Sequence, residues 1–270
     1  MSEKMCTFAP AYKKNLTPKF VFRTGTPGDY AAKVGKISEL CKQNGKKIMK
    51  YKDFEDAFSA ARLNKYKNAC GGNTNKALTL YRHNVKLCQK FYGVLNIFEI
   101  VLRNAINQHY TAHFNDADWI YHQLQSGGML EHSPHQHDTL NDITAMVVKG
   151  KYTPDKVVAS VSFGFWTYMF TKVPFRLGSQ FILQIFTARQ TGLGQKAIFK
   201  ELQQIKDFRN RIAHHEPICF DATGRKSMVY AQTNYALILK YIAFLGYDKD
   251  DLLFGLDVMP DAVMNKIIQL

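Results

Sequence analysis

The segment Arg209-Asn210-Arg211-Ile212-Ala213-His214 brings together two side chains suited to breaking a phosphodiester. Imidazole, with an unperturbed pKa of ~6.5, gives and takes protons near neutrality. Guanidinium is a permanently charged fork that matches phosphate oxygens. On RNA, the ribose 2′-OH would attack the adjacent phosphorus, His214 would move the proton as general base or acid, and Arg209 would neutralise the phosphorane-like transition state. Asn210 lies between them. DNA lacks the 2′-OH and would not react this way. The competing account is a solvated helix face that runs out into a polar loop at Glu216-Pro217. Spacing alone does not separate the two.

Ala197 to His215 reads as a helix. On its wheel Leu202, Ile205, Phe208 and Ile212 share one arc that must face a core. His214 falls almost opposite, with Asn210 on nearly the same line, while Arg209 sits at the edge of the arc and joins that line only through its length. Upstream, Gly71-Gly72 stops one region, and Asn73 or Thr74 can cap a long helix running through Leu80, Val85, Leu87, Phe91, Leu95, Phe98, Leu102 and Ile106 to about Tyr110. On it Asn96, Glu99, Arg103 and Asn107 form a polar line that needs partners wherever it is buried. Either Glu99 and Arg103 are an ion pair that fixes helix packing, or Glu99 orients Arg209 or Arg103 while Arg103 contributes to a phosphate site. Arg103 and His109 repeat the arginine-to-histidine spacing, but His109 lies on the apolar side.

Other helices are expected over Ala31 to Asn44, Tyr51 to Asn68, Asp138 to Lys149, from about Asp155, over Tyr230 to Leu245 and from Asp261. Apolar stretches occupy Val161 to Phe170 and Phe175 to Ala188, and Ser126 to Pro134 reads as loop. Strands find a place only at Ile218 to Phe220 against Ser227 to Tyr230. The class is all-α. Residues 1–29, with Pro10, Pro18, Gly25, Pro27 and Gly28, read as a basic irregular arm, and residues 30–270 as one all-helical domain.

The 270 residues are enough for a sizeable core, and 36 Lys and Arg against 22 Asp and Glu give a formal net charge of +14. Such a field concentrates polyanions, making RNA the natural partner, although lysine-rich helices also serve solubility. Lys46, Lys47, Lys50 and Lys52, with Arg211, are candidate backbone contacts, and Tyr51 and Tyr66 interleave as candidate stacking rings; an ordinary exposed face explains the same pattern. Five scattered cysteines make no C-x-x-C pair, which points to a reducing cytoplasm, and neither a secretory leader nor a membrane span is read. His122, His132, His135 and His137 lack the cysteine or close carboxylate that would complete a zinc set, so no metal and no cofactor is expected. Gly192-Leu193-Gly194 reads as a turn. A nucleotidyl-transferring enzyme is disfavoured, because neither paired metal-binding aspartates nor a phosphate loop is found.

Arg209 to Pro217 resembles the R-N-x-x-x-H signature of the HEPN ribonuclease superfamily, in the version found in abortive-infection (Abi-like) proteins. Two further segments agree in order. Tyr81, Asn84, Phe91-Tyr92 and Leu95 leading to Glu99 through Ile106 resembles the first long helix of that family, and Ser162 through Trp166 is similar to its central Phe-Gly segment. The resemblance implies a helical bundle of HEPN type with additional N-terminal helices, and a homodimer whose two motifs meet in one cleft. It also implies metal-independent RNA cleavage by Arg209, Asn210 and His214, with Glu99, Arg103 and His215 supporting. A role in phage defence or growth arrest is implied too, in some members restrained by a small noncoding RNA acting as antitoxin or guide. The alternative function is a non-catalytic module that holds a structured RNA.

Overall fold

Gly71 and Gly72 both adopt positive φ, at 60° and 84°, a conformation glycine reaches without steric cost. They end one helix, and the Asn73 side chain accepts the Lys76 amide at 3.0 Å to begin the next, as the capping signal predicts. The computed structural model describes residues 49–256 and 258–270. The arm expected over residues 1–29, the helix expected over Ala31 to Asn44, and Lys46 and Lys47 lie outside the described residues.

Before the glycines come α1 (Tyr51–Phe58) and α2 (Ala60–Ala69), where a single helix is expected from the sequence. The break falls at Ser59, which takes φ 70° and caps α2 through the Arg62 amide; local side-chain capping here outweighs continuous propensity. After the glycines runs α3 (Thr74–Phe114), 41 residues long, about 60 Å at ~1.5 Å per residue. Its buried positions include Leu80, Leu87, Phe91, Leu95, Phe98, Leu102, Ile106 and Tyr110, at the three- and four-residue spacing of one helix face, whereas Val85, expected among them, falls off that face and is exposed. After it come α4 (Trp119–Gln123), α5 (Gln136–Val148), α6 (Pro154–Ser160), α7 (Phe163–Tyr168), α8 (Lys172–Leu177), a 3₁₀ turn (Phe181–Ile185), α9 (Gln195–Ala213), α10 (Val229–Phe244), α11 (Lys249–Leu252) and α12 (Asp261–Ile268), of which α4, α7, the 3₁₀ turn, α9, α10 and α12 pack against α3.

The all-α class holds among the described residues. The strand pair expected near Ile218 shrinks to one antiparallel bridge, Phe220 with Lys226, because Tyr230 already belongs to α10. Helix α4 escapes sequence reading; five residues are too few to show a period. The apolar run from Val161 is cut into short helices whose N-caps, Ser162 and Thr171, each precede a turn.

Against α3 lies α9, with Ile198, Leu202, Ile205, Phe208 and Ile212 buried on one side. The rings of Phe91 and Phe208 meet edge to face at 4.9 Å, a geometry the aromatic quadrupole favours. On the flank of α9, Glu201 accepts from Lys240 at 2.7 Å and from the Tyr241 hydroxyl at 2.7 Å, tying α9 to α10. This fixes the helix that carries the motif. Among the described residues no helix is long and apolar enough to cross a membrane.

Candidate functional site

Helix α9 stops at Ala213, and the chain then turns sharply. The Glu216 amide donates to the Arg211 carbonyl at 2.9 Å and the His215 amide to the Ile212 carbonyl at 3.0 Å, the paired bonds of a Schellman ending. The left-handed position of that ending, usually glycine, is His215, at φ 58°. Histidine is among the side chains that tolerate this region. Arg62 of α2 donates from Nη1 to the His215 carbonyl at 2.8 Å, so a residue far upstream latches the turn. Arg211 latches it from the other side, donating from Nε to the Pro217 carbonyl at 3.0 Å, lying 3.6 Å from Glu216 and stacking over Tyr230. Then the Ile218 amide donates to Oδ1 of buried Asn84 at 3.0 Å, anchoring the outgoing segment to α3.

Arg209 leans towards α3, where its Nε lies 3.7 Å from Oε2 of Glu99. Burial pushes the Glu99 carboxyl above the ordinary carboxylate range, against the opposite pull of Arg209 and Arg103. Arg103 is half-buried, and its Nε finds no acceptor among the described residues. Of the polar line on α3, Glu99 therefore serves Arg209, and Asn107 accepts from the Trp119 indole at 2.8 Å. His109 is half-buried, and its ring stacks on His113.

Beside this pair opens a groove of about 810 Å³. Arg209 and His215 line it from the motif, Arg62 from α2, Phe58 from α1, and Tyr81, Gln89 and Tyr92 from α3. His214 caps α9 and is exposed, and it is not among the lining residues. Asn210 is half-buried, and its carbonyl accepts the His214 amide at 2.9 Å. The structure thus brings Arg209 and His215 to one groove, sets Glu99 beside Arg209 without lining it, and leaves His214 out of the lining although its neighbours Ala213 and His215 belong to it.

The proposed RNA contacts separate. Lys50 and Lys52 are exposed, Lys52 lying 3.1 Å from Asp56, and neither lines the groove. Arg211 is occupied with its own loop. The Tyr66 ring is only 2% exposed, edge-on to Tyr81 and Phe220, so it is core and not a stacking platform. Tyr51 is half-buried under Lys67. Of the clustered histidines, His122 bonds to Asp116 at 2.7 Å and His135 packs on Phe165 and Tyr168. No group of side chains able to hold a metal ion is found among the described residues.

Arg62 and Gln89 went unseen in the sequence. Arg62 meets its partner across 153 residues, and no local period reports such a contact. Asn84 was discernible as a polar residue in an apolar stretch, though its task of holding Ile218 was not.

An all-helical chain with an arginine–histidine motif closing one helix, and an acidic partner on another, is the class of protein these observations define. The family model for Abi-like proteins matches residues 47–219, and the chain belongs to that family. The match begins well before Tyr81 and so takes in α1 and α2. No curated protein and no solved structure matches the chain.

Proposed function

We propose that the chain is an HEPN-type, metal-independent RNA endonuclease that acts in abortive-infection defence. The reading is supported most by one observation: Arg209 stands at the wall of an open groove, directed by Glu99 at 3.7 Å, with exposed His214 about one and a half helical turns further on. Phosphate oxygens engage Arg209, and His214 moves the proton of the attacking 2′-OH or of the leaving oxygen. Because exposed His214 does not line the groove that Arg209 lines, the reaction is assigned to a cleft shared by two copies, each supplying Arg209 and His214. Asn210 sits on the same turn, Arg103 adds positive charge behind Glu99, and the net charge of +14 favours capture of RNA. The same basic character suits restraint by a small noncoding RNA. Membership of the Abi-like family supports the defence role.

Purified protein incubated with RNA in EDTA is expected to yield fragments ending in 2′,3′-cyclic phosphate. His214→Ala is expected to lower the rate by about 10²- to 10⁴-fold, the usual worth of a proton-transferring group. An unchanged rate in that variant refutes the assignment. Intact RNA held in a salt-dependent way by the wild-type protein favours a non-catalytic RNA-holding module instead.

A further inference from the structure

We propose that the groove between α1, α2, α3 and α9 is a binding site for one unpaired nucleobase of the RNA strand, next to the phosphate held by Arg209. This rests on the ribonuclease reading above and adds to it what the groove selects.

Three features carry the inference. The first is the position of the ring of Tyr92, which lines the groove yet is 59% exposed. A large aromatic side chain left open to water on the solvent-facing side of α3 leaves a free π-face, on which any base can stack. The second is the part of the lining formed by α1, α2 and the first turns of α3, already built of rings. Phe58 and Tyr81 lie 5.2 Å apart, and Tyr81 in turn meets Tyr66 at 5.2 Å. At the base lies Cys88, whose thiol burial pushes up to about 11, so this surface stays uncharged. The third is polarity at the rim. Arg209 is there for a phosphate, Arg62 has spent one of its N–H groups on the His215 carbonyl, and exposed Gln89 offers an amide that both donates and accepts. An apolar slot with a few convergent polar groups and about 810 Å³ of room falls within the ~300–1,000 Å³ range of small-ligand sites. A positively charged rim around it fits a nucleotide better than an apolar peptide.

The consequence for substrate choice is direct. A base can enter the slot only when it is out of a helical stack, so the enzyme cuts single-stranded segments or loops and leaves duplex RNA intact. Tyr92 supplies stacking, and Gln89 reads the edge of the base.

The test uses 2′-O-methyl RNA decamers, which cannot be cleaved by 2′-OH attack, in a series where one abasic nucleotide is moved along the strand. Binding is read by fluorescence anisotropy. Wild-type protein is expected to lose affinity by roughly 5- to 150-fold at one abasic position, the worth of a stacked base. Tyr92→Ala is expected to lose the same factor on the intact decamer and to show no further loss with the abasic one, while Tyr92→Phe keeps wild-type affinity. Because Tyr92 is exposed, its replacement leaves the core untouched. Equal affinity of wild-type protein for all the decamers, failure to bind them, or wild-type binding by Tyr92→Ala overturns the subsite. Base-dependent binding by a protein that leaves ordinary RNA uncut sinks the ribonuclease reading alone. Cleavage with the same site selection in wild-type and Tyr92→Ala protein sinks the subsite alone.

Discussion

Replacing Glu99 by glutamine separates the two roles an ion pair can have. Two unit charges at the observed 3.7 Å attract by about 4 kcal/mol at an effective dielectric of ~20. The Arg209 side chain is 39% exposed, and for pairs open to solvent the net gain falls to about 1 kcal/mol or less. Against it stands the cost of burying the carboxylate, which wins, since the Glu99 carboxyl titrates above its ordinary range despite two neighbouring arginines. Glu99 therefore contributes nothing favourable to folding at neutral pH, and Glu99→Gln is expected to change unfolding free energy by no more than about 1 kcal/mol in urea titration. Activity should respond differently. With the charge gone, Arg209 loses the group that aims it, and a displacement of about 1 Å can cost ~10²-fold in rate. The pair of measurements is decisive. If Glu99→Gln unfolds more easily by over about 2 kcal/mol, the pair is structural; if it cuts RNA at the wild-type rate, Arg209 needs no aiming. The pH dependence has a defined sign as well. Because the folded chain holds the proton more tightly than the unfolded one, Glu99 adds stability as pH falls from neutrality towards the ordinary carboxylate range, and that increment is lost as pH rises. Glu99→Gln should remove it.

Two further substitutions test the latching of the motif. Arg62→Ala deletes the bond to the His215 carbonyl at a stability cost of about 0.5–1.5 kcal/mol, and cleavage should fall by more than that stability change accounts for; proportionate losses in thermal melting and activity would deny Arg62 a positioning role. Asn84→Ala leaves the Ile218 amide buried without its acceptor, so chemical denaturation should show a loss of about 1–3 kcal/mol, and an unchanged midpoint would mean that the segment finds another partner.

Wherever one helix face does one thing, the structure was legible from sequence. Leu202, Ile205, Phe208 and Ile212 are all buried on α9, and the cap at Asn73 and the glycine stop before it fall where the residue types put them. The loop from Ser126 to Pro134 is equally plain, since no period crosses it. Illegible parts are those in which a local choice overrides a period, as Ser59 does in splitting α1 from α2, or in which contact joins distant segments. Tyr66 reads as an exposed ring among lysines, but its ring is held by Tyr81 and Phe220, one of them 154 positions further along the chain. The groove itself belongs to this second kind. Four separate helices meet to form it, and none of them carries a pattern that announces a cavity. The exposure of His214 is legible from the wheel, which puts it almost opposite the core arc, whereas the left-handed turn at His215 is a conformation usually signalled by glycine and here carried by a residue that gives no such warning.

The Arg62 and Asn84 contacts close loops of 153 and 134 residues. Proteins are made from the N-terminus at ~5–20 residues per second, and the ordering cost of such long closures must be met before their contacts give anything back. While the ribosome is still short of Ile218, α1, α2 and most of α3 are already outside, with one side of the groove and nothing to face it. Products terminated before Ile218 therefore have no latched site, and any activity that depends on it begins only after that residue has been made.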